Sequence, residues 1–104
     1  TFGDFKKLDL RVAEITAAEK IKKSDRLLKL TVNAPEERTV VAGIAEFYQP
    51  EELVGRQVIM VANLQPTKLM GVLSQGMILA ARNEDGKLSL SSFSNKLQPG
   101  SPVS

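Results

Sequence analysis

With no His and no Cys in this sequence, what remains for catalysis is carboxylates and lysines. Ser-His-Asp and Cys-His triads, imidazole bases, and thiolate or imidazole metal sites are therefore excluded. No disulfide framework exists either. Glu51 and Glu52 adjoin each other behind Pro50, where acids in a first helical turn complement the helix dipole. Asp9 and Glu14 have no visible acid–base partner. The expectation is a binding module rather than an enzyme, with no catalytic residue, no cofactor and no metal.

The cations have a clearer chemistry. Net charge is only +2, but the charge is sorted along the chain. Lys20, Lys22, Lys23, Arg26 and Lys29 lie close together with Asp25 as the sole acid among them. Glu36, Glu37, Glu46, Glu51 and Glu52 follow, with Arg38 as the sole base. A basic cluster is an electrostatic footprint for polyanions. The plainer alternative is a solvated lysine-rich turn. A second cation, Lys68, stands in the segment Asn63–Ala81, which opens with about ten residues of polar, Gly- and Pro-marked loop. Ser74-Gln75-Gly76-Met77 is an unusual entry into the apolar run that follows.

The elements that must position these residues are mostly short strands. Phe2–Lys7 reads as a helical turn or arm with Asp4 as a possible cap. Leu10–Ala18 is a long strand. Leu27–Asn33 alternates, with Leu28, Leu30 and Val32 on one face and Leu27, Lys29, Thr31 and Asn33 on the other. Ala34-Pro35-Glu36-Glu37 is a turn, and Arg38–Ile44 a β-branched third strand. Phe47–Gly55 carries helix punctuation: Pro50 early, acids in the first turn, Gly55 at the end. Gln57–Ala62 and Gly76–Ala81 are apolar strands. Asn83–Gly86 is a turn, Lys87–Leu90 a short sixth strand, and Gln98–Pro102 an irregular tail.

Three strands, a short helix and two strands is the order of an OB-fold. The expected fold is all-β: a five-stranded OB-fold barrel with a short helix between strands 3 and 4 and small N- and C-terminal appendages. In that barrel the strand 2–3 face binds, flanked by the strand 1–2 and strand 4–5 loops. Here those loops hold Lys22–Lys23 and Lys68, so strand order alone brings both cationic segments to one surface. None of the five aromatic residues falls on strands 2 or 3, so base-stacking platforms for general single-strand binding are missing. A folded RNA read by shape and backbone suits the residues better.

Asp4-Phe5-x-Lys7-Leu8-Asp9-Leu10-Arg11-Val12, Ser24–Leu30, Arg38-x-Val40–Ile44, Tyr48-x-Pro50–Gly55, Asn63-Leu64-x-Pro66-x-Lys68–Gly71 and Ser74-x-Gly76–Ala80 together resemble one family from end to end. It is the tRNA-binding domain at the C-terminus of many bacterial methionyl-tRNA synthetases. Similar domains occur in free-standing tRNA-binding proteins and in endothelial monocyte-activating polypeptide II. The resemblance implies sequence-independent binding at the outer corner of the L-shaped tRNA, as an appended domain, and a homodimer built by the N-terminal arm and C-terminal tail. Phe2, Phe5 and Leu97 are the candidate dimer contacts. Lys68 is the expected phosphate contact, with Lys22, Lys23, Lys29 and Arg38 as further RNA-facing cations. Asn63, Ser74 and Met77 match motif positions at the rim of the face. Gln65 departs from the pattern, standing where many members have a Lys or another residue before the proline, which leaves Lys68 as the cation of this loop. Two alternatives stay open: a stand-alone tRNA-binding protein, and a chaperone-like, peptide-binding relative.

The length of 104 residues fits one domain, 1–104. The start at Thr1 rather than Met is expected for a domain cut from a longer chain. No apolar run reaches membrane-spanning length and no signal-peptide pattern is present, so the expected location is cytoplasmic.

Overall fold

The computed structural model describes residues 1–104. Its strands are β1 (Leu10–Lys20), β2 (Leu28–Asn33), β3 (Glu37–Ala42), β4 (Gln57–Val61), β5 (Thr67–Leu69), β6 (Val72–Ser74), β7 (Met77–Ile78), β8 (Ala80–Arg82), β9 (Leu88–Leu90) and β10 (Pro102–Val103). Two short helices are α1 (Phe2–Phe5) and α2 (Pro50–Leu53). The main sheet runs β3-β2-β1-β4-β7, all antiparallel. The long β1 serves two neighbours: Leu10–Glu14 pair with β4, and Glu14–Lys20 with β2. A register irregularity between Ile15 and Ala17 marks the handover. Such a bulge bends a strand and lets one sheet curl into a barrel.

The curl encloses one apolar core. Strand alternation builds it: Leu28, Leu30 and Val32 from β2 and Val40 from β3 are fully buried, with Ala13, Ile15, Val58 and Met60 from the flanking strands. Burying each of the larger side chains contributes about 1.5–3 kcal/mol. Leu53 of α2 closes one end of this core. Tyr48 packs against it, and its hydroxyl accepts from the Leu90 N–H at 3.1 Å. This is an OB-type barrel, as strand order leads one to expect.

Three details differ from the sequence-based expectation. The N-cap of α1 is Thr1, whose hydroxyl accepts from the Asp4 N–H; Asp4 sits inside the first turn instead of capping it. The apolar run Gly76–Ala81 is not one strand. Met77 and Ile78 pair with β4, whereas Ala80–Arg82 pair with β9. Leu79 makes the switch, donating to the Ile59 carbonyl and accepting from the Ser91 N–H. The segment expected as a polar loop also contains the β5–β6 hairpin, turning at Met70 (φ 48°) and Gly71 (φ 80°). Positive φ at both central residues is the two-residue turn that matches strand twist.

The tail covers the edge of β1 that β2 leaves free. Val103 and Pro102 pair with Leu10 and Arg11, and Gly100 donates to the Val12 carbonyl at 2.8 Å. Gly100 has φ +91°, and a Cβ there would lie 2.5 Å from Pro35 Cδ and 2.7 Å from Pro35 N. Gly100→Ala is therefore expected to cost about 2–4 kcal/mol through strain and overlap. Thermal unfolding would read that loss, and an unchanged midpoint would mean the tail does not depend on this close approach.

Candidate nucleic-acid interface

The outward face of β2–β3 follows from register. Leu28, Leu30 and Val32 pair with Ala42, Val40 and Arg38 as the inward row; Lys29, Thr31 and Asn33 pair with Val41, Thr39 and Glu37 as the outward row. Lys29 therefore faces out, where its ammonium meets the Glu19 carboxylate at 3.5 Å. Arg38 does not. It pairs with a fully buried valine and turns toward the mouth of the barrel. Its Nη1 donates to the Ala62 carbonyl at 2.6 Å and the Gln75 carbonyl at 3.2 Å. Nε and Nη2 donate to Glu36 Oε1 at 3.1 and 2.7 Å. The guanidinium holds the Glu36 carboxyl below the usual carboxylate range, chiefly through these hydrogen bonds.

Two side chains and one main-chain bond, rather than a continuous strand ladder, close the barrel between β3 and the returning chain. Ser74 Oγ accepts from the Val41 N–H at 2.9 Å and donates to the Gly76 carbonyl at 3.2 Å. Gln75 Oε1 accepts from the Thr39 N–H at 3.0 Å, and the Gln75 N–H donates to the Thr39 carbonyl at 2.8 Å. Ser74 is buried with its hydroxyl occupied on both sides. The polar dipeptide that looked odd at a strand entrance is the seam of the barrel. Gln75 was not among the expected site residues; its position beside Ser74 was the available signal.

Asn63 is similarly engaged. Its Nδ2 donates to the Lys7 carbonyl at 2.7 Å, and its Oδ1 accepts from the Asp9 N–H at 3.0 Å. The amide thus ties the N-terminal arm to the base of the β5–β6 hairpin. Arg38 bonds the carbonyls on both sides of that hairpin, at Ala62 and Gln75. Asn63, Arg38 and Ser74 therefore hold the hairpin in place through bonds within the chain, Asn63 at the surface, Arg38 partly buried and Ser74 buried.

The remaining residues are open. Lys22, Lys23 and Lys68 are exposed and form no ion pair. Met77 is half exposed and lines a shallow notch with Leu64, Thr67, Leu69 and Val41. The hairpin's register puts Thr67, Leu69 and Ser74 on the notch side and Lys68 with Leu73 on the other. The seam bonds run antiparallel along β3, from Thr39–Gln75 to Val41–Ser74, so the hairpin extends toward the Ala42 end. Ala42 pairs with Leu28, the residue at which the basic β1–β2 loop ends. Both cationic loops thus border one end of the β2–β3 face. No aromatic side chain lies on β2 or β3.

A curled sheet with this strand order and lysine-bearing loops at the edge of its β2–β3 face defines a small OB-type barrel of the kind that binds nucleic acids. The chain belongs to the Putative tRNA binding domain family, whose model matches residues 10–102. It is 54% identical over 104 residues to a methionine–tRNA ligase of Deinococcus radiodurans, covering 99% of this chain and 15% of that protein. The chain therefore spans about 15% of the length of the curated relatives it matches. Among solved structures it resembles a MetRS-related protein from Pyrococcus horikoshii, with a TM-score of 0.93 and 43% identity over 99% of this chain and 95% of that one. It also resembles the chaperone CsaA from Bacillus anthracis, with a TM-score of 0.91 and 29% identity over 100% and 97% of the two chains.

Proposed function

We propose that this domain binds tRNA by shape, at the outer corner of the L, as a non-catalytic appendage of a cytoplasmic methionyl-tRNA synthetase. What supports this reading is that the loops carrying Lys22, Lys23 and Lys68, all unpaired, border one end of the β2–β3 face in a chain of the tRNA-binding family. Lys29 and Met77 complete the contact surface, while Arg38, Asn63 and Ser74 act by fixing the hairpin that carries Lys68. The appended domain adds tRNA affinity, and aminoacylation is done by the rest of the synthetase. Titration of folded tRNA against an unstructured RNA of equal length, at two salt concentrations, tests it. Tighter binding of tRNA, weakening with salt, is expected. Equal binding of both would sink shape recognition.

The same reading includes a homodimer. Phe2, Phe5 and Leu8 are 72%, 47% and 45% exposed, and they lie beside Leu10 and Val103 around an apolar hollow. A patch of that kind at the junction of arm and tail suits a second copy of the chain. A sedimentation mass of one chain at micromolar concentration would refute it. The chaperone-like structural neighbours favour a second reading, in which the notch beside Met77 takes apolar peptide side chains. Peptide binding that persists at high salt would support that alternative.

A further inference from the structure

We infer that a second, separate cleft in this domain binds a phosphate group. It lies at the Gln57 end of β4, whereas the β5–β6 hairpin follows the Val61 end. Its volume is about 330 Å³, between Gly55–Gln57 at the start of β4 and the segment Ser91–Lys96 that follows β9. Arg56, Lys96, Ser92, Ser94 and Asn95 line it, and no carboxylate does. That leaves two cations among neutral hydrogen-bond donors, which is the composition an oxyanion requires.

The orientation of Arg56 adds to this. Its Nε donates to the Glu52 carbonyl at 3.1 Å, and its guanidinium lies over the Tyr48 ring at 5.2 Å. These contacts fix the plane of the group and leave both terminal nitrogens without a partner in the chain. Arg56 therefore keeps two terminal nitrogens available to donate to phosphate oxygens. Neither Arg56 nor Lys96 forms an ion pair. The wall is also held firmly: Gln57 accepts from the Leu97 N–H at 2.9 Å and donates to its carbonyl at 2.6 Å, and Ser91 Oγ accepts from the Ile59 N–H at 2.9 Å. One carboxylate, Glu14, bonds Gln57 Nε2 at 3.2 Å but does not line the cleft.

Another hollow, at the Ala62 end of β4, shows what an occupied charge set looks like. It is lined by Asp9, Arg11, Glu36 and Arg38, and each arginine already meets a carboxylate at 2.7 Å. Those guanidiniums are neutralised within the chain; Arg56 and Lys96 are not. The chemistry of the cleft fits either a phosphodiester of a bound RNA or a small free phosphate.

Amide NMR during a sodium phosphate titration, against sodium chloride at matched ionic strength, reads the site directly. Saturating shifts at Arg56, Ser92, Ser94, Asn95 and Lys96 are expected with phosphate alone. Lys96→Ala, a change at an exposed side chain, is expected to weaken phosphate binding about tenfold without moving the melting temperature. Arg56→Gln should weaken it as well, with its fold checked by the same spectra. If Lys96→Ala also weakens tRNA binding, the ligand is an RNA backbone phosphate; if tRNA affinity is unchanged while phosphate binding weakens, it is a free phosphate. Identical shifts in chloride, or phosphate binding by both variants at the parent's affinity, would overturn the inference. The phosphate titration stands apart from the tRNA reading, so either can fail alone.

Discussion

Replacing Lys22, Lys23 and Lys68 together by alanine is expected to weaken tRNA binding about 100-fold at low salt. Each exposed lysine that meets a phosphate contributes about 1 kcal/mol, and three such losses give that factor. The salt dependence should fall as well, by roughly two to three units of slope in log affinity against log salt, because fewer counterions are released. All three side chains are exposed and unpaired, so the fold should be unaffected. Binding isotherms at several salt concentrations decide it. A triple variant that keeps the parent's slope would place the RNA elsewhere on the barrel.

Arg38→Ala separates two roles for one residue. If Arg38 clamps the hairpin, its loss removes charge-assisted bonds to two main-chain carbonyls, at a side chain only 21% exposed. The expected cost is about 2–4 kcal/mol of stability. Arg38→Lys should not restore it, because an ammonium cannot span the Ala62 and Gln75 carbonyls and Glu36 in one plane. Denaturant unfolding and amide exchange at Gln75 would show the loss, while the salt slope of tRNA binding stays the same. The opposite pattern, with intact stability and a slope reduced by about one, would make Arg38 a phosphate contact instead. An acid limb should accompany the clamp. Glu36 has a lowered pKa in the folded state, so its contribution is present above the unfolded carboxyl's value and fades as pH falls through the folded one. Arg38→Ala should flatten that limb.

The barrel's first four strands were legible in the sequence because each combines an apolar row with clear punctuation. Leu28, Leu30 and Val32 alternate, Pro50 opens α2, and the Gln57 run is uniformly apolar. The fifth strand was not legible in the same way. Its six apolar residues carry no mark of the change of partner at Leu79, which depends on where β9 returns. The β5–β6 hairpin was hidden because its strands are three residues long and its turn is Met70-Gly71, without the Asn-Gly or Asp-Gly pair that usually signals one. Among the candidate site residues, the exposed lysines needed only strand order to be assigned to their loops. Arg38 needed register: one step along β3 decides between the outward row of Val41 and the inward row of Val40. For Asn63 and Ser74, composition favours polar contacts but does not say with what, and here the partners lie on distant segments, at Lys7, Asp9 and Val41.

The pairing of Leu10 with Val103 has a consequence for portability. Polypeptide entering the barrel and polypeptide leaving it pass through the same patch, side by side. A cargo joined ahead of Leu10 or behind Val103 would meet the barrel at that one patch, leaving the β2–β3 face and the hairpin tip unobstructed. A short linker could also join the segment ahead of Leu10 to the segment behind Val103 while the domain is opened at Asp85-Gly86, a hydrogen-bonded, exposed turn. Such a circular permutant should retain the same binding surface, which makes this barrel suited to grafting onto other proteins in either orientation.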